Sequence, residues 1–199
     1  MSISEKEKQA NRDKILAAAH KCFTEHGFHA TGMAELSKAC RMSVGNLYHY
    51  FPKKAAIIQA IADETRLRIL PVLQRLELHE DPVEGIVEFI LISVREFCRD
   101  SNARLWTEVL AEASRNQSLR ELWISCDREL RDLLKRLLRR AVRTGQSPPD
   151  LDVEATSLWL TALLDGAIAR VSVQPELSLT RTLGTLSASI RRSLCAQPA

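Results

Sequence analysis

A short stretch near the amino end, from Val44 to Tyr50, carries side chains that can touch nucleotide bases and phosphates. Gly45 has no side chain, so a helix formed here could approach a duplex closely. Val44 could contact a thymine methyl, and Asn46 could hydrogen-bond a base edge. Hydroxyl and imidazole groups that could reach phosphate oxygens belong to Tyr48, His49 and Tyr50, of which Tyr48 could also meet a base. This chemistry favours recognition of DNA in its major groove.

Two short helices joined by a tight turn must position these groups. The first of the two spans about Met33 to Cys40, with Gly32 at its N-cap and Glu35 placed to reach back to that cap. The second begins after Ser43, a good N-cap, and ends near Tyr50 because Pro52 cannot continue it. The apolar residues expected to face a preceding helix are Leu36, Cys40, Leu47 and Phe51. A simple hairpin within a core is the alternative, but it would not explain the outer residue types.

Composition narrows the function classes. The first 54 residues carry a net charge of +4 and the remainder −1, which places the positive excess at the end that holds the two-helix unit. No apolar run reaches the ~20 residues of a membrane span and no signal peptide opens the chain, so we expect a cytoplasmic protein without membrane contact. No metal-ligand spacing, cofactor motif or catalytic constellation is evident, so an enzyme is not expected. Reduced thiols are expected at Cys22, Cys40, Cys98, Cys126 and Cys195.

Helical periodicity covers the whole chain, and no segment shows a strand pattern. Pro71 is expected to kink or end the fourth helix. The predicted helices span about Lys6–His26, Met33–Cys40, Val44–Tyr50, Lys54–Leu78, Val83–Arg99, Ala103–Ser114, Ser118–Thr144, Asp152–Val173 and Ser178–Leu194. The fold class is therefore all-α, with about nine helices.

The amino-terminal part of the chain resembles the DNA-binding domain of the TetR family of bacterial transcriptional repressors. The resemblance is carried by Phe23, Gly27-Phe28, Thr31, the run from Met42 to Phe51, and Lys54. It departs from the family pattern at Gly32, at Lys53 and at Arg41, which stands where a turn glycine is usual and must take a strained backbone unless the turn differs. The DNA-contacting set is predicted to be Thr31, Ser43, Val44, Gly45, Asn46, Tyr48, His49, Tyr50 and Lys54.

The resemblance also implies a domain organisation. Residues 1–54 would form a three-helix DNA-binding domain with a helix-turn-helix at about 32–51, and residues 55–199 a larger helical domain for effector binding and dimerisation. The segment from Ala155 to Leu164 is uncharged, and a near-heptad seam follows it in the last helix. Both would be buried if these helices met those of a second copy; completion of the monomer's own core is the alternative. The predicted dimer residues are Leu158, Trp159, Ala162, Leu163, Leu179, Leu183, Leu186 and Ile190.

A pocket for an organic cation or a hydrophobic amphiphile is the remaining expectation. Its candidate residues are aromatic or acidic and lie among apolar neighbours: Phe89, Phe97, Trp106, Trp123, Trp159, Glu108 and Asp165. The alternative for each is core filler or surface charge. The run from Leu163 to Gly166, with Arg170, also resembles the corresponding helix of relatives of the choline-responsive betaine regulator, over too short a stretch to identify a ligand.

The expected function is therefore a homodimeric repressor that binds a pseudo-palindromic operator and responds to an unknown small-molecule effector. The alternative is a DNA-binding regulator that acts through a protein partner without a small ligand.

Overall fold

The computed structural model describes residues 4–98, 102–174 and 179–195, without the side chains of residues 68–70, 73 and 98. These residues form helices and no strand, which confirms the all-α prediction. Within this part of the chain the helices are α1 (Glu5–His26), α2 (Met33–Ala39), α3 (Val44–Tyr50), α4 (Lys54–Glu77), α5 (Pro82–Cys98), α6 (Asn102–Ala113), α7 (Gln117–Arg143), α8 (Val153–Val173) and α9 (Leu179–Leu194).

Local capping explains several helix boundaries. At the start of α1 the Glu7 amide donates to the Ser4 hydroxyl (3.2 Å), while the Ser4 amide donates to the Glu7 carboxylate (2.9 Å). Gly27 ends the helix at φ +86°, a conformation that favours glycine. The Asp152 carboxylate caps α8 by accepting from the Ala155 amide at 3.0 Å. These interactions are local, so helix ends follow directly from nearby residues.

Two local expectations need correction. The carboxylate of Glu35 was expected at the N-cap of α2; instead it lies 2.5 Å from His26 Nδ1, which ties α2 to the end of α1. Pro71 does not end α4, which continues through it to Glu77. Pro71 lies on the exposed side, and the helix lacks one backbone hydrogen bond there because proline has no N–H.

The helices group into two compact units. One contains the chain up to Arg68 together with Glu108–Leu122, and its core includes Ile15, Phe23, Leu36, Leu47 and Ile57. The other contains Ile69–Thr107 and the chain from Trp123 onward. In this second unit α5 packs against both α8 and α9. The segment Glu108–Leu122 therefore groups with the amino-terminal helices despite its distance along the chain.

Two further properties concern the described residues only. None of their helices is long and apolar enough to cross a membrane. No disulfide joins Cys22, Cys40, Cys126 or Cys195, whereas the side chain of Cys98 lies outside the described part. Burial raises the pKa of the Cys22 and Cys40 thiols, which makes them poor nucleophiles.

Candidate nucleic-acid interface

Helix α3 presents one face to solvent and buries the other. Leu47 is completely buried, whereas Val44 is 40% and Tyr48 49% exposed. The Ser43 hydroxyl caps the helix by accepting from the Asn46 amide at 3.2 Å. The other predicted contact residues on the solvent side are Ser43, Gly45, Asn46 and His49. The structure thus leaves free the face whose residue types suit base contact.

Gly45 is not required by the packing of this chain. A methyl group added at its Cα would meet nothing within 4 Å, and its backbone is ordinary helix. A glycine inside a helix costs about 1 kcal/mol relative to alanine, so the position carries a cost without an internal reason. The bare backbone leaves room for a surface from outside the molecule, as a helix seated closely in a groove requires.

The turn before α3 keeps its tight geometry with Arg41 in the left-handed region, at φ +54°. The Arg41 amide donates to the Lys38 carbonyl (3.0 Å) and the Met42 amide to the Ser37 carbonyl (2.9 Å). This pair of bonds is the Schellman arrangement, in which glycine usually occupies the left-handed position. Of the two alternatives left by the sequence, the structure shows the strained arginine.

Thr31 was predicted to contact phosphate, and the structure contradicts this. Its side chain is fully buried, and its hydroxyl donates to the carbonyl of Gly27 at 2.8 Å and lies 3.3 Å from that of Cys22. A hydroxyl enclosed in this way cannot reach a DNA backbone. Thr31 instead closes the loop between α1 and α2.

Lys54 was also predicted to contact phosphate, and its ammonium group is engaged elsewhere. The nitrogen donates to the carbonyls of Phe28 (2.7 Å), Thr31 (2.7 Å) and His29 (3.3 Å). It also lies 4.6 Å from the centre of the Phe28 ring. Burial lowers the pKa of Lys54, although the carboxylates of Glu112 and Glu35 partly oppose this shift. Because an ammonium has three donors, a phosphate would have to displace these carbonyls. Lys54 therefore fastens the loop to the start of α4.

Tyr50 and its neighbours differ from the rest of the face. Tyr50 is half-buried, and its hydroxyl accepts a hydrogen bond from the Asn11 amide at 3.1 Å. Asn11 was not among the predicted residues, since nothing in its local sequence signals a partner so far along the chain.

Lys53 was also missed; it is exposed, with its ammonium 3.0 Å from the Ser118 hydroxyl. Among the described charges, Lys53 is a better candidate than Lys54 for a phosphate contact.

The predicted pocket residues do not all come together. In the second unit the rings of Phe97 and Trp106 lie 5.2 Å apart. Burial raises the pKa of Asp165, the Trp106 indole N–H partly offsets that rise, and the Asp127 carboxylate adds to it. The buried Trp106 indole nitrogen has no hydrogen-bond partner among the described residues. Asp127 was missed because it lies at the edge of the apolar stripe of α7, where a carboxylate is read as a surface charge.

The other predicted pocket residues have different positions. Phe89 is buried in the core of the second unit and Trp123 is half-buried. Trp159 is 37% exposed on the surface of α8. Glu108 belongs to the first unit, where its carboxylate would lie 3.2 Å from a methyl group added at Gly27. Phe89 therefore belongs to the core, whereas Trp159 lies at the surface and Glu108 in the first unit; the pocket itself stays a prediction.

The predicted dimer set also divides. Leu183, Leu186 and Ile190 are at most 9% exposed and lie in the core of the second unit, so their own subunit already covers most of their surface. The seam of α9 instead completes the monomer's own core. The residues of the set that keep a surface are Leu158 and Ala162, which are exposed, Trp159, and the half-buried Leu163 and Leu179.

Comparison with known proteins agrees with this geometry. Residues 15–61 match the family model described as bacterial regulatory proteins of the tetR family, and residues 80–194 match that of the C-terminal part of BetI-type transcriptional repressors. The transcriptional regulator UidR of Escherichia coli K12 is 30% identical over 87% of this chain and 88% of its own length.

Solved structures agree as well. Salmonella enterica GusR has 29% identity and a TM-score of 0.72, over 94% of this chain and 97% of its own. A structure of the SmeT–triclosan complex has 25% identity and a TM-score of 0.81, over 95% of this chain and 93% of its own. The matching relatives are regulators and repressors, not enzymes. The chain therefore belongs to the TetR family of helix-turn-helix transcriptional repressors.

Proposed function

We propose that this protein is a homodimeric repressor whose two α3 helices read the half-sites of a pseudo-palindromic operator, and that a small-molecule effector modulates this binding. The observation that carries the proposal is the exposed face of α3, where side chains suited to base contact surround Gly45. The packing of the chain itself does not require a glycine at this position. Two reading heads held at a fixed spacing bind only a matched pair of half-sites, so a small change in spacing weakens binding.

Selection of bound sequences from random duplex DNA tests the reading head. Asn46→Ala is expected to relax the base preference at one position per half-site, with a loss of discrimination of about 1–3 kcal/mol. His49→Ala, on the same exposed face, serves as the control: it weakens binding to all duplexes and leaves the selected sequence unchanged. An unchanged preference in Asn46→Ala would remove Asn46 from the reading role.

For the effector we propose an organic cation held near Asp165, Asp127, Trp106 and Phe97. Burial raises the pKa of the Asp127 and Asp165 carboxylates, so a positive charge beside them would stabilise their ionised forms. Neighbouring aromatic rings attract a cation through their faces. The SmeT–triclosan complex supports a small-molecule site in a related fold without indicating its charge.

Calorimetric titration with choline and with its neutral isostere 3,3-dimethylbutanol tests this site. Choline is expected to bind more tightly than the alcohol, and more tightly as pH rises through the raised pKa of Asp165, because the ionised carboxylate is the form that attracts it. Asp165→Asn should weaken choline binding and flatten the pH dependence. Equal binding of both probes would exclude a cation site, and binding of neither would favour the protein-partner alternative.

A further inference from the structure

Helix α1 contacts the end of the reading helix through two consecutive polar side chains. Asn11 reaches Tyr50, and the Arg12 guanidinium lies 4.9 Å from the centre of the Phe51 ring. These residues extend the buried stripe of α1 toward its amino end, and they hold the carboxyl end of α3. The contact therefore connects α1 to Tyr50, a half-buried residue at the carboxyl end of α3.

The direction of the hydrogen bond restricts the Tyr50 hydroxyl. The Asn11 amide nitrogen donates, and the phenolic oxygen accepts, at 3.1 Å. A phenol carries a single hydrogen, which lies near the ring plane, so the hydrogen must point away from the incoming N–H. The His49 ring, in an edge contact with the Tyr50 ring at 5.8 Å between centroids, further limits rotation of the side chain. The free donor of Tyr50 is thus fixed in one direction.

We propose that Asn11 is a positioning residue that presents the hydroxyl hydrogen of Tyr50 to a DNA phosphate. The inference rests on the proposed DNA-binding function of α3. Asn11 itself makes no contact with DNA; it supplies a donor that only an amide offers here. An aspartate of the same shape would accept the phenolic hydrogen, turn it inward and add a negative charge.

The test compares affinities for a random-sequence duplex of about three helical turns at low salt, where phosphate contacts dominate. Tyr50→Phe is expected to weaken binding about tenfold or more, because it removes a hydrogen bond to a charged group. Asn11→Ala should weaken it several-fold, since the hydroxyl remains but is free to rotate, and Asn11→Asp should weaken it more than Asn11→Ala. Tyr50→Phe and Asn11→Ala should leave the salt slope unchanged, because neither removes or adds a charge.

The double variant separates positioning from folding. In the Tyr50→Phe background, Asn11→Ala is expected to change affinity by no more than about twofold, because no hydroxyl is left to position and the two single effects therefore do not add. Thermal midpoints of all variants are measured beside the affinities, and alanine at this helical position should not lower them. A full loss from Asn11→Ala when Tyr50 is already phenylalanine would overturn the inference while leaving DNA binding intact. Failure of the unaltered protein to bind any duplex would overturn the proposed function itself.

Discussion

The ammonium of Lys54 shows how a single cation can order a loop. Three backbone carbonyls and the face of the Phe28 ring surround it, so one side chain satisfies acceptors that would otherwise need water. The residues it ties lie more than twenty positions earlier in the chain. Sequence alone indicates that a lysine can meet a phosphate, but it does not show which acceptors the fold brings within reach. The same reason explains the burial of Thr31.

The exposed face of α3, by contrast, was predictable residue by residue. Helical periodicity sets Leu47 inward, and it then leaves Val44, Asn46 and Tyr48 on the outer side whatever the rest of the fold does. Exposure follows from a short-range repeat, whereas the partners of Thr31, Lys54 and Tyr50 depend on tertiary packing.

Arg41 stores backbone strain that a glycine would not. A non-glycine residue in the left-handed region costs about 1–2 kcal/mol, so Arg41→Gly is expected to raise the free energy of unfolding by about 1 kcal/mol in urea denaturation. Arg41→Ala removes the same charge and keeps the strain, so it should leave stability close to that of the unaltered protein. Equal gains from both variants would mean that relief of charge repulsion, and not of backbone strain, is responsible.

Helix α9 shows what an apolar stripe can and cannot predict. Its start and end were predicted closely, because a helix boundary depends on neighbouring residues. The helix that packs on its apolar seam was not predicted, because a near-heptad seam has the same sequence pattern whether a second chain or α5 covers it. In the structure α5 covers the seam of α9. The Arg191 guanidinium of α9 also donates to the Glu84 carboxylate of α5 at 2.7 Å. The stripe is therefore part of the monomer core.

Truncation of this seam should weaken the subunit itself. Ile190 is fully buried, so Ile190→Ala is expected to lower the free energy of unfolding by about 2–5 kcal/mol through lost burial and a residual cavity. The control is Leu78→Ala, at a leucine that is 81% exposed, which should change stability by about 0.5 kcal/mol or less. Light scattering accompanies the unfolding curves. A folded, monomeric Ile190→Ala protein of unchanged subunit stability would return the seam to an interface between chains.

At the scale of the whole molecule, the proposed dimer depends on the surface left open on α8. Leu158 is 55% exposed beside Trp159 and Ala162, on a helix whose Gly166 also has open space around it. Gly184 gives α9 a similarly open position on its outer side, so helices of another copy could approach both closely. The proposed dimer therefore depends mainly on α8, and the small outer residues of α9 allow the helices of the second copy to approach closely.

A charge placed in this surface is expected to separate the subunits. Leu158→Glu would set two carboxylates into an apolar contact, where burial of an unpaired charge is costly, so sedimentation at micromolar concentration should show a monomer. Leu67→Glu, at a leucine that is 69% exposed on α4, is the matched control and should leave the dimer intact. The monomer keeps its α3 face, so its binding to a single half-site should persist while its affinity for the paired site falls by about a hundredfold or more, through the loss of linkage between heads. A Leu158→Glu protein that remains dimeric would place the interface on another surface. A Leu158→Glu protein that is monomeric but binds the paired site with unchanged affinity would show that each subunit reads DNA alone.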